Sequence, residues 1–266
     1  MSRLNRSDRA ALMAAAQAAG ETCDAAIALA QAGMLASTGD LEDVVNRLLR
    51  EHRASAPFKS FEGFGFACCV SLNAEIVNGP PLPARPLQAG DLLSVAVGAQ
   101  IRGFHGKAAR TVYLGGDTPP PDVTRLLTGT RAVFDRLREN PAGCKRIGDL
   151  GAWIRHAADA YDLRVVVDSG GWGIGKRLHQ DPPAPNLAHG PGVDALDLPL
   201  TPDLALTLMP MMTLGAEGAF IIAEDGWTQV SADGALTAHF AETLLVSADG
   251  IEIISASGCS PSLAEG

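Results

Sequence analysis

The feature that most narrows the fold is a change of hydrophobic period that occurs twice along the chain. Residues 7–53 are alanine-rich and apolar at helical spacing over 10–36 and 41–49, with Thr38 and Asp40 as capping candidates for the second stretch. From Phe66 the pattern becomes strand-like, with short apolar runs at 66–72, 92–99 and 103–114 separated by the turn-rich NGPPLPARPLQAGD. Helical spacing returns over 123–139 and 147–161, divided by the breaker Asn140-Pro141-Ala142-Gly143, and strand-like runs follow at 164–167, 204–209, 219–223 and 243–247. Strands and two helices in each half predict an α/β (α+β) fold with an internal pseudo-repeat around a shared sheet. The longest irregular stretch, 180–202, is rich in Pro, Gly and Asp, and a loop that long in a compact domain is more often functional than accidental.

Charge and cysteine usage exclude several function classes. A net charge of −9 with no basic cluster argues against nucleic acid or an anionic membrane surface as the main partner. No apolar run approaches the roughly 18 residues that would span a bilayer, and the first twenty residues lack the continuous apolar segment of a signal peptide, so a cytoplasmic location is predicted. The five cysteines, Cys23, Cys68, Cys69, Cys144 and Cys259, form an odd set without CxxC spacing. Reduced thiols are expected, with neither a disulfide framework nor a zinc knuckle.

An ordered series of motifs carries a family resemblance. Pro86-Leu87-Gln88-Ala89-Gly90-Asp91 precedes an apolar strand at 92–98; Gly103-Phe104-His105-Gly106 opens the next; Gly173-Ile174-Gly175 is followed by His179 and Pro182. Pro210-Met211, Asp225-Gly226-Trp227-Thr228 and the run 243–253 complete the series. In this order and at these separations the chain resembles the methionine aminopeptidase and creatinase-like family. The resemblance covers about 57–254 and implies a pita-bread fold, two pseudo-symmetric halves around a curved antiparallel sheet, preceded by helices. The expected organisation is an N-terminal helical region 1–56, an aminopeptidase-like domain 57–256 and a C-terminal tail 257–266.

Carried over position by position, the resemblance implies that the family's metal-binding residues are replaced. Its two strand aspartates fall on Ala96 and Lys107, its loop histidine on Trp172, its two glutamates on Met209 and Ala241, and its substrate-contacting histidine on Asn78. Only the second loop histidine, His179, is kept. Alanine, methionine and tryptophan offer no hard oxygen ligand, and a lysine ammonium repels a cation. No metal and no other cofactor is therefore expected.

One kept and one replacing residue suggest two candidates for chemistry. His179 can exchange a proton near neutral pH, although an inherited loop residue bonded to backbone is the plainer alternative. Lys107 could act as a desolvated base or hold an anionic ligand, or simply point to water or pair with a carboxylate. Asn78 could orient a ligand amide, though Asn is also a good turn former. Trp172 on a glycine-rich loop, with Met209 opposite, is expected to fill or wall the cavity, and Cys69 rather than Cys68 to face it. His105 reads as mainly structural, and Trp227 as a further wall residue. The expected function is a metal-independent enzyme, not an aminopeptidase, doing acid-base chemistry (hydrolysis, elimination, isomerisation or cyclisation) on a small amino-acid-like or amide-containing molecule, with a biosynthetic pathway as the expected setting. The alternative is an inactive pseudoenzyme binding a peptide, small ligand or protein, with a homodimer left open.

Overall fold

The computed structural model describes residues 4–187 and 196–255. The chain opens with α1 (Arg6–Gln31) and α2 (Thr38–Glu51), and a short 3-10 turn (Pro57–Ser60) leads into the first sheet. Helix α1 starts on Asn5, whose side chain accepts from Asp8 N, and stops at Gly33, which takes the left-handed φ of 69°. That stop falls before the predicted end at residue 36. The cap of α2 is Ser37 rather than Thr38, with the Asp40 carboxylate reaching back to Ser37 N in a capping box.

In the first half, β1 (Cys68–Leu72), β3 (Leu92–Ile101) and β4 (Phe104–Tyr113) form one antiparallel sheet in the order β1-β3-β4, while β2 (Glu75–Val77) leaves it for a separate small sheet. The long β3–β4 pairing places Ala96 opposite Ala109 and Gly98 opposite Lys107. Helices α3 (Pro121–Glu139) and α4 (Ile147–Ala160) follow, α3 with proline at its first position, where no intrahelical N–H is lost. Leu126, Phe134, Leu150 and Ile154 from their apolar faces build one core cluster with Leu206 and Leu244.

The second half contributes β5 (Arg164–Val165), β6 (Gly170–Gly173), β7 (Gln180–Pro185), β8 (Ala205–Leu208), β9 (Met211–Thr213), β10 (Phe220–Ile222), β11 (Gln229–Ser231), β12 (Thr237–His239), β13 (Glu242–Val246) and β14 (Ile251–Ile253). Its main sheet runs β14-β13-β8-β6-β7, all antiparallel. Two smaller sheets, β10-β11-β2 and β12-β9-β5, flank it. The halves are joined where Ala109 and Ala241 exchange backbone hydrogen bonds of 3.0 and 3.1 Å.

Two segments differ from the sequence expectation for identifiable reasons. The run 180–202 is not wholly irregular, because 180–185 is a strand despite three prolines. It lies at the sheet edge, where a missing N–H costs no ladder bond. GGWG is strand β6 rather than a loop; a Cβ on Gly171 would lie 1.6 Å from Thr207 O, so glycine is what allows β8 to approach.

The N-terminal helices are built into the domain. Alanines 11, 15, 16, 18 and 19 on α1 are buried, and a Cβ on Gly106 would come within 2.3 Å of the Ala16 backbone, so helix and strand β4 nearly touch. Across the same seam Arg110 on β4 pairs with Asp24 on α1 at 2.9 Å and with Glu242 on β13 at 3.2 Å. Burial pushes the Glu242 carboxyl up while Arg110 pulls against it, and Ser255 donates a short hydrogen bond to it. The boundary at 56/57 thus has no counterpart in the packing. The tail 257–266, with Cys259, lies outside the described residues. No described helix is long and apolar enough to cross a membrane.

Candidate functional site

A cavity of about 130 Å³ opens between the first sheet and the 3-10 turn. Phe58, Phe61, Phe64 and Trp227 form its apolar walls, with Trp227 set edge-on to Phe64 at 5.2 Å between ring centroids. Cys69, Val77 and Ala96 floor it, and Lys107, His179 and Asn78 supply its polar groups. Phe58 can lie over β3 because Gly98 has no side chain: a Cβ there would meet the Phe58 ring at 2.7 Å.

Lys107 is held from both sides of its backbone, donating from N to Thr243 Oγ1 at 2.9 Å and accepting from the same hydroxyl at 2.8 Å. The residue is 7% exposed, so its side chain does not reach the outer surface but borders the cavity. Nor does it pair with a carboxylate among the described residues. Its Nζ instead lies 3.4 Å from Met209 Sδ and 5.7 Å from the centroid of Phe58. Burial draws its pKa down from the ordinary lysine value, and the neighbouring Cys69 opposes this only partly.

His179 meets the edge of Phe61 at 4.8 Å and stacks with Trp172 at 5.9 Å. Burial first, and the Lys107 charge second, pull its pKa down to about 4, so the imidazole is neutral at physiological pH. Asn78 adopts a left-handed φ of 65°, which its short polar side chain tolerates, and borders the cavity.

The remaining candidates divide. Trp172 does not plug the cavity: it is 38% exposed and turned outward by the strand, covering His179 from outside. Met209 is buried against Lys107, and its carbonyl accepts from Asn186 at 2.7 Å. Cys69 borders the cavity, but burial raises its thiol to about 12, against which Lys107 works only weakly, so no thiolate forms near neutral pH. Cys68 faces the other way, toward Glu42 at 3.7 Å. His105 stands outside the cavity; its ring Nδ1 and its backbone N both meet Gly175 O, at 2.9 and 2.8 Å, so it pins the GIG segment.

Of the aromatic wall, sequence reasoning named Trp227 but passed over Phe58, Phe61 and Phe64. Four of the chain's eight phenylalanines fall within 58–66, and that clustering was the available signal. It also passed over His239, fully buried with Nε2 lacking a hydrogen-bond partner among the described residues.

The profile of metallopeptidase family M24 matches residues 10–248. Methionine aminopeptidase A of Synechocystis is 33% identical over 251 residues, 94% of this chain and 96% of that protein. Methionine aminopeptidase 1 of Bacillus subtilis is 32% identical over 218 residues, 82% and 85% of the two chains. The crystal structure of the Thermotoga maritima methionine aminopeptidase superposes with a TM-score of 0.87 at 28% identity, covering 97% of this chain and all of that one. The fold is the pita-bread fold. These relatives overturn the expectation of a metal-independent protein set apart from the aminopeptidases, because likeness to proteins of that name runs through nearly the whole chain.

The metal ions such a family implies nonetheless do not fit the residues present. At the positions the resemblance assigns to the ligands stand the methyl groups of Ala96 and Ala241, the thioether of Met209 and the ammonium of Lys107, while Trp172 faces outward. No group of three or more His, Cys, Asp or Glu side chains converges among the described residues, and a soft thioether beside a cation cannot replace the hard oxygens a divalent pair requires. In fold, motif order and sequence, the chain belongs to metallopeptidase family M24.

Proposed function

We propose that the chain acts on the amino-terminal residue of a peptide and seats an apolar, methionine-like side chain in the aromatic cavity. The observation that carries this is the cavity itself: about 130 Å³, walled by Phe58, Phe61, Phe64 and Trp227, with Lys107, His179, Asn78 and Glu62 as its polar lining. That volume suits one unbranched apolar side chain, and aromatic walls suit a thioether. In this pose the residue's carbonyl accepts from Lys107 Nζ and from the Asn78 amide, while its ammonium lies toward Glu62 at the rim. Proteins named methionine aminopeptidases at 32–33% identity support the choice of side chain.

None of the residues present takes over water activation from a metal. What they account for is recognition of the peptide end. A cytoplasmic location accords with this reading, since Cys23, Cys68, Cys69 and Cys144 are all free thiols. The test is calorimetric binding of Met-Ala-Ser amide against Asp-Ala-Ser amide, with methionine release followed in parallel with added manganese or cobalt. Preference for the methionyl peptide by about tenfold or more is expected, a difference of about 1.4 kcal/mol. Equal affinities would reject the proposal.

A further inference from the structure

We propose that Lys107 makes this cavity a receptor for apolar carboxylates, so that an acid is held more tightly than the amide carrying the same side chain. The proposal deepens the peptide-end reading and rests on it for one element, the aromatic cavity as the seat of the side chain.

Lys107 presents an ammonium with no counter-charge among the described residues. Lys107 is nine-tenths buried, and no carboxylate among the described residues lies within pairing distance. The nearby buried acid, Glu242, is engaged by Arg110 and Ser255. Glu62 borders the cavity from the exposed rim. The two contacts Lys107 does make, a thioether at 3.4 Å and an aromatic ring at 5.7 Å, are attractive but leave its charge uncancelled. A buried cation in that condition is costly, and a ligand that neutralises it recovers what burial took away.

The cavity's other features narrow the anion. Its walls are apolar and its volume is small, so the charged part of the ligand must be compact and the rest hydrocarbon. A carboxylate brings one negative charge against one ammonium. A phosphate monoester would bring nearly two into a cavity with a single cation, leaving the excess desolvated. Neutral His179, with its pKa pulled down, adds no second charge and can instead donate or accept a hydrogen bond beside Lys107. A carboxamide in the same place offers Lys107 only a neutral acceptor, and charge-assisted hydrogen bonds are about twice as strong as neutral ones.

The test compares N-acetyl-methionine with N-acetyl-methionine amide, which differ only in the acid group, by calorimetry on the full chain and on Lys107→Met. Wild type should bind the acid about tenfold or more tightly than the amide, and the ratio should fall to within about twofold in Lys107→Met. Lys107→Gln, which keeps a polar end, should lose the preference in the same way and serves if the methionine variant fails to fold. Equal affinity for acid and amide in wild type, or a preference that survives both substitutions, overturns the proposal while leaving the peptide-end reading intact. Failure of both compounds to bind at all sinks both.

Discussion

The Lys107 ammonium and the Met209 sulfur face each other at 3.4 Å, a cation met by a thioether at a point where no carboxylate among the described residues cancels its charge. Folding therefore carries a desolvation cost at this position that an apolar side chain would not. Lys107→Met should raise stability by about 1–3 kcal/mol, seen as a higher urea midpoint at unchanged slope. Because burial lowers the folded pKa of Lys107, the unfolded chain binds the proton more readily. The wild type should accordingly gain stability as pH rises toward the ordinary lysine value, and the variant should lack that gain. A variant less stable than wild type would show that the ammonium is satisfied.

Acid should destabilise the fold through His239. Burial first, and Lys107 second, pull its pKa down to about 3, against an ordinary value of 6.5. Between those values the unfolded chain takes up a proton that the folded one refuses, so stability falls as pH drops below about 6.5 and levels off near 3. The loss is on the order of a few kcal/mol. His239→Gln should flatten that part of a pH series of denaturation midpoints, and an unchanged slope would place the acid sensitivity elsewhere.

Gly106→Ala should separate α1 from the sheet. Its new methyl would need the space now held by Ala16 backbone, 2.3 Å away, and backbone cannot rotate aside as a flexible side chain can. A loss of about 1–3 kcal/mol is expected from overpacking, read by chemical denaturation. Gly103→Ala is the control: it meets nothing within 4 Å, and its penalty, about 1 kcal/mol, comes only from a left-handed φ of 80°. Comparable losses whose effects leave α1 equally protected from proteolysis would argue against the close approach.

Replacing Ala96 and Lys107 by Asp, and Met209 and Ala241 by Glu, should raise affinity for manganese or cobalt at least about tenfold over wild type, since hard anionic oxygens then converge. Trp172 is left out of this variant because its side chain faces outward. Calorimetric titration decides the matter; unchanged affinity would mean that the four positions do not share a site.

The large elements were legible because their signals are local. Helices α3 and α4 follow from apolar spacing divided by the breaker at 140–143, and β3 and β4 from long apolar runs bounded by turns. Strand β7 was not legible, because three prolines deny a strand unless it sits at an edge, and edge position is a property of the assembled sheet. At the site, Ala96 and Lys107 could be placed by motif alignment, but the direction of Trp172 could not. The β6–β7 register shifts between Trp172 and Gly173, and such an irregularity breaks the alternation from which a side chain's face is inferred. That Lys107 has no carboxylate partner among the described residues was equally invisible, since a counter-charge is found or missed only in the folded arrangement.

The Arg110 junction sets the order in which this protein can become itself. Its partners lie 86 residues before it and 132 after it in the chain, so the three elements it ties share no local contact during synthesis. A nascent chain displaying everything up to β12 would hold the arginine against α1 while β13 had yet to leave the ribosome. The last sheet strands thus act as a latch on the first helix, a pairing of distant segments of the kind that slows folding.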